Sequence, residues 1–192
     1  MLDHSLLLWI NQGWASPFLD GFFSWVSARA TFAFPLTALL AWICWRRFGR
    51  AGLWLWFAMV LSVVAADRIG DILKVFGGVP RPCFEMWGQL RVAGGGLLQA
   101  CGPVGKGMPS NHALNYFTAA AFLAVFFPRL SWRVLLFGVA ATVAVSRLYL
   151  AKHYPSQVAV GALLGINIGL LGAWVAVRVS PTLRALGEKR QC

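Results

Sequence analysis

Beyond residue 30 the chain alternates long apolar runs with short polar breaks, and the runs are too long for strands. They predict helices over Thr31–Trp45, Gly52–Val75, Ser110–Phe127, Trp132–Leu150 and Ser156–Val179. A helix rises about 1.5 Å per residue, so most of these runs can cross a hydrocarbon core about 30 Å thick. Thr31–Trp45 is the shortest and carries Pro35. Ahead of it, "LLLWINQGWASPFLDGFFSWV" is apolar and aromatic but broken by Gly13 and Pro17. That pattern predicts two short amphipathic helices lying in the interface; an additional span there would move the N-terminus to the other side. The expected fold is all-α, a multi-pass membrane helical bundle of five to six transmembrane helices forming a single domain over residues 1–192. Within it, residues 1–30 make an interfacial amphipathic segment and residues 77–108 a loop rich in Gly and Pro. No internal repeat or low-complexity tail is present.

Composition puts this bundle in a bilayer. Of 192 residues, 59% are hydrophobic and 12% charged, more apolar surface than a soluble domain of this size can bury. The chain opens Met1-Leu2-Asp3-His4 without a basic segment, so a cleaved signal peptide is not expected. A net charge of +11 in a soluble protein would suggest nucleic acid. Here the cations flank helices and set orientation instead, and no nucleic-acid partner is expected. Arg46, Arg47 and Arg50, then Arg129 and Arg133, then Arg178, Arg184, Lys189 and Arg190 all fall on one side if that side is the cytoplasm. The C-terminus is then inside and the N-terminus outside.

A second group of cations is left on the outer side: Lys74, Arg81, Arg91, Lys106, Arg147 and Lys152, with His112 and His153. The orientation rule does not account for them. In "KVFGGVPRP", Lys74 ends one helix and Arg81 follows on the reversing chain, where both could also simply snorkel to headgroups. In "GMPSNHA", Ser110 can cap a helix whose free N–H groups favour an anion, with His112 in the first turn. In "SRLYLAKHYPSQ", Arg147 ends a helix, His153 follows, and Gln157 lies one turn beyond His153. Each stretch alone is weak. Together they form a cradle of Lys74, Arg81, Arg147 and N–H groups around two histidines, which suits a phosphate group. Cys83 and Cys101 flank the outer loop; they would pair in an oxidising compartment and remain free thiols in a reducing one, and the outer placement favours the disulfide. The site carries cations where a metal enzyme would place carboxylates, so no metal or other cofactor is expected.

These three stretches resemble the motifs of the type 2 phosphatidic acid phosphatase (PAP2) superfamily, lipid phosphatases related to the vanadium haloperoxidases. Its signature is K-x6-R-P, then P-S-G-H, then S-R-x5-H-x3-D. Lys74 through Arg81-Pro82 fits the first, Pro109 to His112 fits the second with Asn111 in place of Gly, and Ser146 to Gln157 fits the third with Gln157 in place of Asp. The resemblance covers about Gly70 to Gly165. It implies that His153 attacks phosphorus to form a phosphohistidine and that His112 protonates the leaving oxygen. It further implies that Lys74, Arg81, Arg147, Ser110 and the N–H groups around Asn111 hold the phosphoryl oxygens.

Gln157 can accept the same imidazole hydrogen bond as the family's Asp but brings no charge, so a nearby carboxylate is expected to assist. Asp71 and Glu85 are the candidates, each with the alternative of pairing with Lys74 or Arg81 or lying solvated. The expected function is a lipid phosphatase of the cell (inner) membrane, its site facing the periplasm or outside. Candidate substrates are phospholipid, polyprenyl or lipid A phosphates, and no obligate protein partner is expected. The alternatives are a lipid phosphotransferase using the same intermediate and a lipid-phosphate binding or transport protein.

Overall fold

The computed structural model describes residues 2–86, 88–94 and 106–188, and among them every regular element of more than one residue is helical. In chain order these are α1 (Leu2–Gly13), α2 (Pro17–Val26), a π-helical turn (Arg29–Ala33), α3 (Phe34–Phe48), α4 (Arg50–Gly77), α5 (Pro82–Glu85), α6 (Asn111–Phe126), α7 (Leu130–Tyr149), α8 (Pro155–Val179) and α9 (Pro181–Glu188). The five runs expected from hydropathy correspond to α3, α4, α6, α7 and α8. The first begins later than expected, because the π-helical turn occupies Arg29–Ala33. That shift puts Pro35 in the opening turn of α3, where a missing N–H leaves no hydrogen bond unmade.

By length and apolarity, α4, α7 and α8 can each cross a membrane alone. A fourth crossing results if α2 and the segment Arg29–Phe48 act as one span bent by 72°. The α6 helix is shorter, 16 residues, and lies inside the bundle against α4, α7 and α8. Its buried residues include Ala113, Leu114, Thr118, Ala121 and Phe122. Around it the large side chains face outward, as a lipid-exposed wall requires: Trp42, Trp54, Leu61, Leu135, Leu163 and Trp174 are all exposed.

Small residues let α6 and α8 meet closely. Gly161, Gly165 and Gly169 recur every fourth residue on α8, and a Cβ on each would collide with the carbonyl oxygens of Ser110, Leu114 and Thr118 respectively. Lipid tails are as apolar as the helices, so such backbone approach is what holds membrane helices together. It also fixes the start of α6 beside the start of α8. The ends of α4 and α7 arrive at the same level. Gly78, in the left-handed region with φ +57°, closes α4 there.

The N-terminal segment forms the two short helices expected, and both pack against this end of the bundle through Leu7, Ile10 and Phe23. They are fastened by polar contacts. Arg91 donates to both carboxylate oxygens of Asp20 at 2.7 and 2.9 Å and to the Tyr149 hydroxyl at 2.8 Å. The Asn11 amide donates to the carbonyls of Tyr149 and Arg91 at 2.7 and 3.0 Å. Asp3 accepts from the Ser156 N–H at 2.9 Å, at the first turn of α8. Together these contacts tie α1, α2, the segment through Arg91 and the end of α7 into one unit.

Candidate active site

The turn from α7 to α8 sets the central imidazole. The Arg147 carbonyl accepts from the N–H groups of Lys152 and His153 at 2.9 and 3.3 Å, and Ala151 takes a left-handed φ of +52° to close the turn. Pro155 then starts α8, and Gln157, one turn along, reaches back to accept from the Tyr154 N–H at 3.2 Å. His153 is left only 2% exposed. Its Nδ1 lies 2.8 Å from the Gly107 carbonyl and 3.1 Å from Oε1 of Gln157.

Both of these neighbours can only accept. The orientation of the Gln157 amide is fixed at its other end, where Nε2 donates to the Pro80 carbonyl at 2.7 Å. Nδ1 therefore carries the proton, and the lone pair of the neutral ring is on Nε2. Burial first, then the guanidiniums of Arg147 and Arg81, hold His153 well below its ordinary pKa of 6.5, outweighing the two hydrogen bonds. The segment that supplies these carbonyls is tight. Gly107 donates to the Val79 carbonyl at 2.8 Å, and a Cβ on it would lie 2.6 Å from both Gln157 Nε2 and the Pro80 oxygen.

The expected cations arrive from separate elements. Arg147 is buried in the last turn of α7; its Nη1 donates to the Ser27 hydroxyl, while its Nε has no partner among the described residues. Arg81 precedes α5, is half-buried, and donates from Nε to the Lys106 carbonyl at 3.3 Å. Lys74 pairs with Asp71 at 3.5 Å. The charges of Arg147 and Lys74 also reach His112, whose Nε2 donates to the Ser27 carbonyl at 3.3 Å. Lys74, Arg81, Arg147, His112 and His153 thus share one end of the bundle.

Ser110 departs from expectation. Its hydroxyl makes no cap to α6; the fully buried oxygen has no partner among the described residues, while its N–H donates to the Gln157 carbonyl at 3.1 Å. Close packing against α8 holds Ser110 in this geometry, and its hydroxyl, like the Arg147 Nε, is unmatched among the described residues. Buried groups of that kind need an explanation, and a hydroxyl and a guanidinium N–H are both able to donate to a phosphoryl oxygen.

Asn111 also behaves differently from a phosphate ligand. Its amide turns away, donating to Asp71 at 2.8 Å and Asp67 at 3.0 Å, and so ties α6 to α4. Its φ is not positive, so the exchange of Gly for Asn costs no backbone strain, and only its N–H remains to meet an anion.

The carboxylates expected to assist His153 are engaged elsewhere. Asp71 holds Lys74 and Asn111, while Glu85 accepts from the Tyr154 hydroxyl at 2.7 Å and lies 3.9 Å from His4. Neither bonds to His153 among the described residues. Cys83 is disulfide-bonded, and Cys101 lies outside the described residues. Two contributors were invisible in the sequence. Ser27 touches both His112 and Arg147, and the Pro80 carbonyl sets the Gln157 amide. One is an isolated serine without a motif, the other a backbone atom.

Known proteins are similar to this chain in sequence and fold. The PAP2 superfamily model matches residues 51–181. The lipid A 4'-phosphatase of Bacteroides thetaiotaomicron is 29% identical, covering 96% of this chain and 81% of its own. That of Porphyromonas gingivalis is 27% identical, covering 88% of this chain and 70% of its own. Among solved structures, Aquifex aeolicus LpxE superposes with a TM-score of 0.67 at 25% identity, over 90% of this chain and 94% of that one. The chain belongs to the PAP2 superfamily, as a helical membrane protein and a phosphatase.

Proposed function

We propose that the chain hydrolyses a lipid-linked phosphate or diphosphate at the outer face of the inner membrane, through a phosphohistidine on His153. The observation that carries this reading is the fixed tautomer of His153: Nδ1–H is held by Gly107 and Gln157, and Nε2, without a hydrogen bond among the described residues, carries the lone pair that attacks. The Nε2 lone pair forms the N–P bond as the P–O bond to the lipid breaks, its electron pair leaving with that oxygen. His112, placed among cations, takes up a proton as the anionic substrate binds and delivers it to the leaving oxygen. Arg81, Arg147, Lys74 and the Ser110 hydroxyl hold the equatorial oxygens while charge redistributes. Water, deprotonated by His112, then attacks phosphorus, the N–P bond breaks, and phosphate is released.

The alignment of 96% of this chain with 81% of a lipid A 4'-phosphatase supports lipid A-type phosphates among the substrates. The orientation of Gln157 bears on the binding-only alternative, since an amide that fixes the reactive tautomer serves turnover and adds nothing to anion binding. A phosphotransferase would share the intermediate and differ only in its acceptor. The test is to incubate detergent-purified protein with lipid phosphates and quench rapidly. An acid-labile, base-stable phosphoprotein that is absent from His153→Ala is expected, with free phosphate accumulating. Tight lipid binding with neither product would overturn the reading.

A further inference from the structure

A cleft of about 360 Å³ opens beside the phosphate pocket, lined by Ser24, Ser27, Val92, Arg147 and Lys152. None of the three matched motifs requires Lys152, Ser24 or Ser27. Lys152 is half-buried in the turn between α7 and α8, and its ammonium has no hydrogen bond or ion pair among the described residues. It sits next to His153 in the chain, with Arg147 and Arg81 close enough for their charges to act on it. A lysine shielded from water beside two guanidiniums is an unfavourable arrangement unless an anion joins it. Arg147 faces both spaces: it lines the cleft and acts on His153.

We propose that this cleft is a subsite for a second phosphoryl group bonded directly to the scissile one, and that Lys152 is the residue selecting for it. This deepens the phosphatase reading and rests on it. Arg147 spans the two groups, Lys152 neutralises the inner one, and Ser24 supplies a hydroxyl at the cleft edge. His153 Nε2 forms its bond to the outer phosphorus while the bridging P–O bond breaks, its electron pair going to the inner phosphate. That leaving group is a lipid monophosphate, stable as an anion near neutral pH, so it needs far less protonation than an alkoxide. The surroundings of His112 fit such a leaving group, because cations crowd it and its Nε2 proton is directed at the Ser27 carbonyl.

The experiment compares wild type, Lys152→Met and Lys152→Arg on a polyprenyl diphosphate and on the monophosphate with the same tail. Met keeps the apolar stem, and a thermal melt in detergent checks the fold. The expected result is a diphosphate preference in kcat/KM of about tenfold or more for wild type. Lys152→Met should lower diphosphate kcat/KM by about tenfold or more, with a clearly smaller loss on the monophosphate, and Arg should restore the preference. Equal losses on both substrates, no loss on either, or a wild-type preference for the monophosphate would overturn the subsite while leaving the phosphatase reading intact. If no lipid phosphate is turned over, the phosphatase reading falls. Binding of a lipid methylene-bisphosphonate against a lipid phosphonate then decides the subsite, by whether the bisphosphonate binds more tightly and loses that advantage in Lys152→Met.

Discussion

Gln157 donates to the Pro80 carbonyl, and that bond decides which end of its amide His153 meets. An amide can serve in place of a carboxylate here because the backbone opposite is an acceptor. Replacing Gln157 with Glu would press a carboxylate oxygen against that carbonyl and leave it unsatisfied, at a cost of about 1–3 kcal/mol. A lower melting temperature and slower phosphate release are expected. Gln157→Leu keeps the Gly107 contact to Nδ1, so its rate should drop by roughly a hundredfold, short of the loss of about ten thousandfold that follows when a catalytic His takes the wrong tautomer. A Glu variant both faster and equally stable would contradict this account.

Ser110 separates stability from chemistry. Its hydroxyl is buried without a partner among the described residues, so removing it in Ser110→Ala relieves an unsatisfied group instead of breaking a bond. The melting temperature should hold or rise. If the hydroxyl serves the phosphoryl oxygens, kcat/KM should fall by about tenfold or more. Parallel melting and phosphate-release assays check both halves.

The α6–α8 contact can be probed at Gly165, where a Cβ would meet the Leu114 carbonyl. Gly165→Ala should destabilise the protein by about 1–3 kcal/mol as the helices are forced apart. Because that contact sets Ser110 against Gln157, activity should fall as well. Gly21→Ala, with nothing within 4 Å of the new methyl, is the control and should melt no lower than wild type.

The pH response of His153 has a definite sign. In the unfolded chain it binds its proton near 6.5; in the folded protein burial and the two guanidiniums defer this to well below that value. Between those points the unfolded state holds more protons, so stability should fall as pH drops below 6.5, and above it His153 contributes no slope. Nitrogen-15 spectra of the histidines at pH 6 should show His153 still neutral and protonated on Nδ1. The acid-side loss of melting temperature should be smaller in His153→Gln.

The helices were legible because lipid imposes one rule on every position of α4, α7 and α8, and apolar runs record it directly. The spacing of Lys74, Arg81, His112, Arg147 and His153 was legible too, since each sits at or beside a helix end, and all but that of Arg147 are marked by glycine or proline. What escaped were relations between side chains and distant backbone. Pro80 acts through its carbonyl, which leaves no trace in residue type. Asn111 was expected to serve through its N–H, and nothing in the motif told that Asp67 and Asp71 on α4 take its side-chain amide. The pairing of Asp20 with Arg91 joins residues 71 apart, and nothing local in either stretch announces it.

Ser27 lies at the 72° elbow between α2 and the segment leading into α3, and from there it touches the imidazole on one side and the guanidinium on the other. The elbow itself is therefore part of the wall of the candidate site. A version trimmed to the residues carrying the three motifs would keep every recognisable letter and lose the carbonyl and hydroxyl that hold His112 and Arg147 in place.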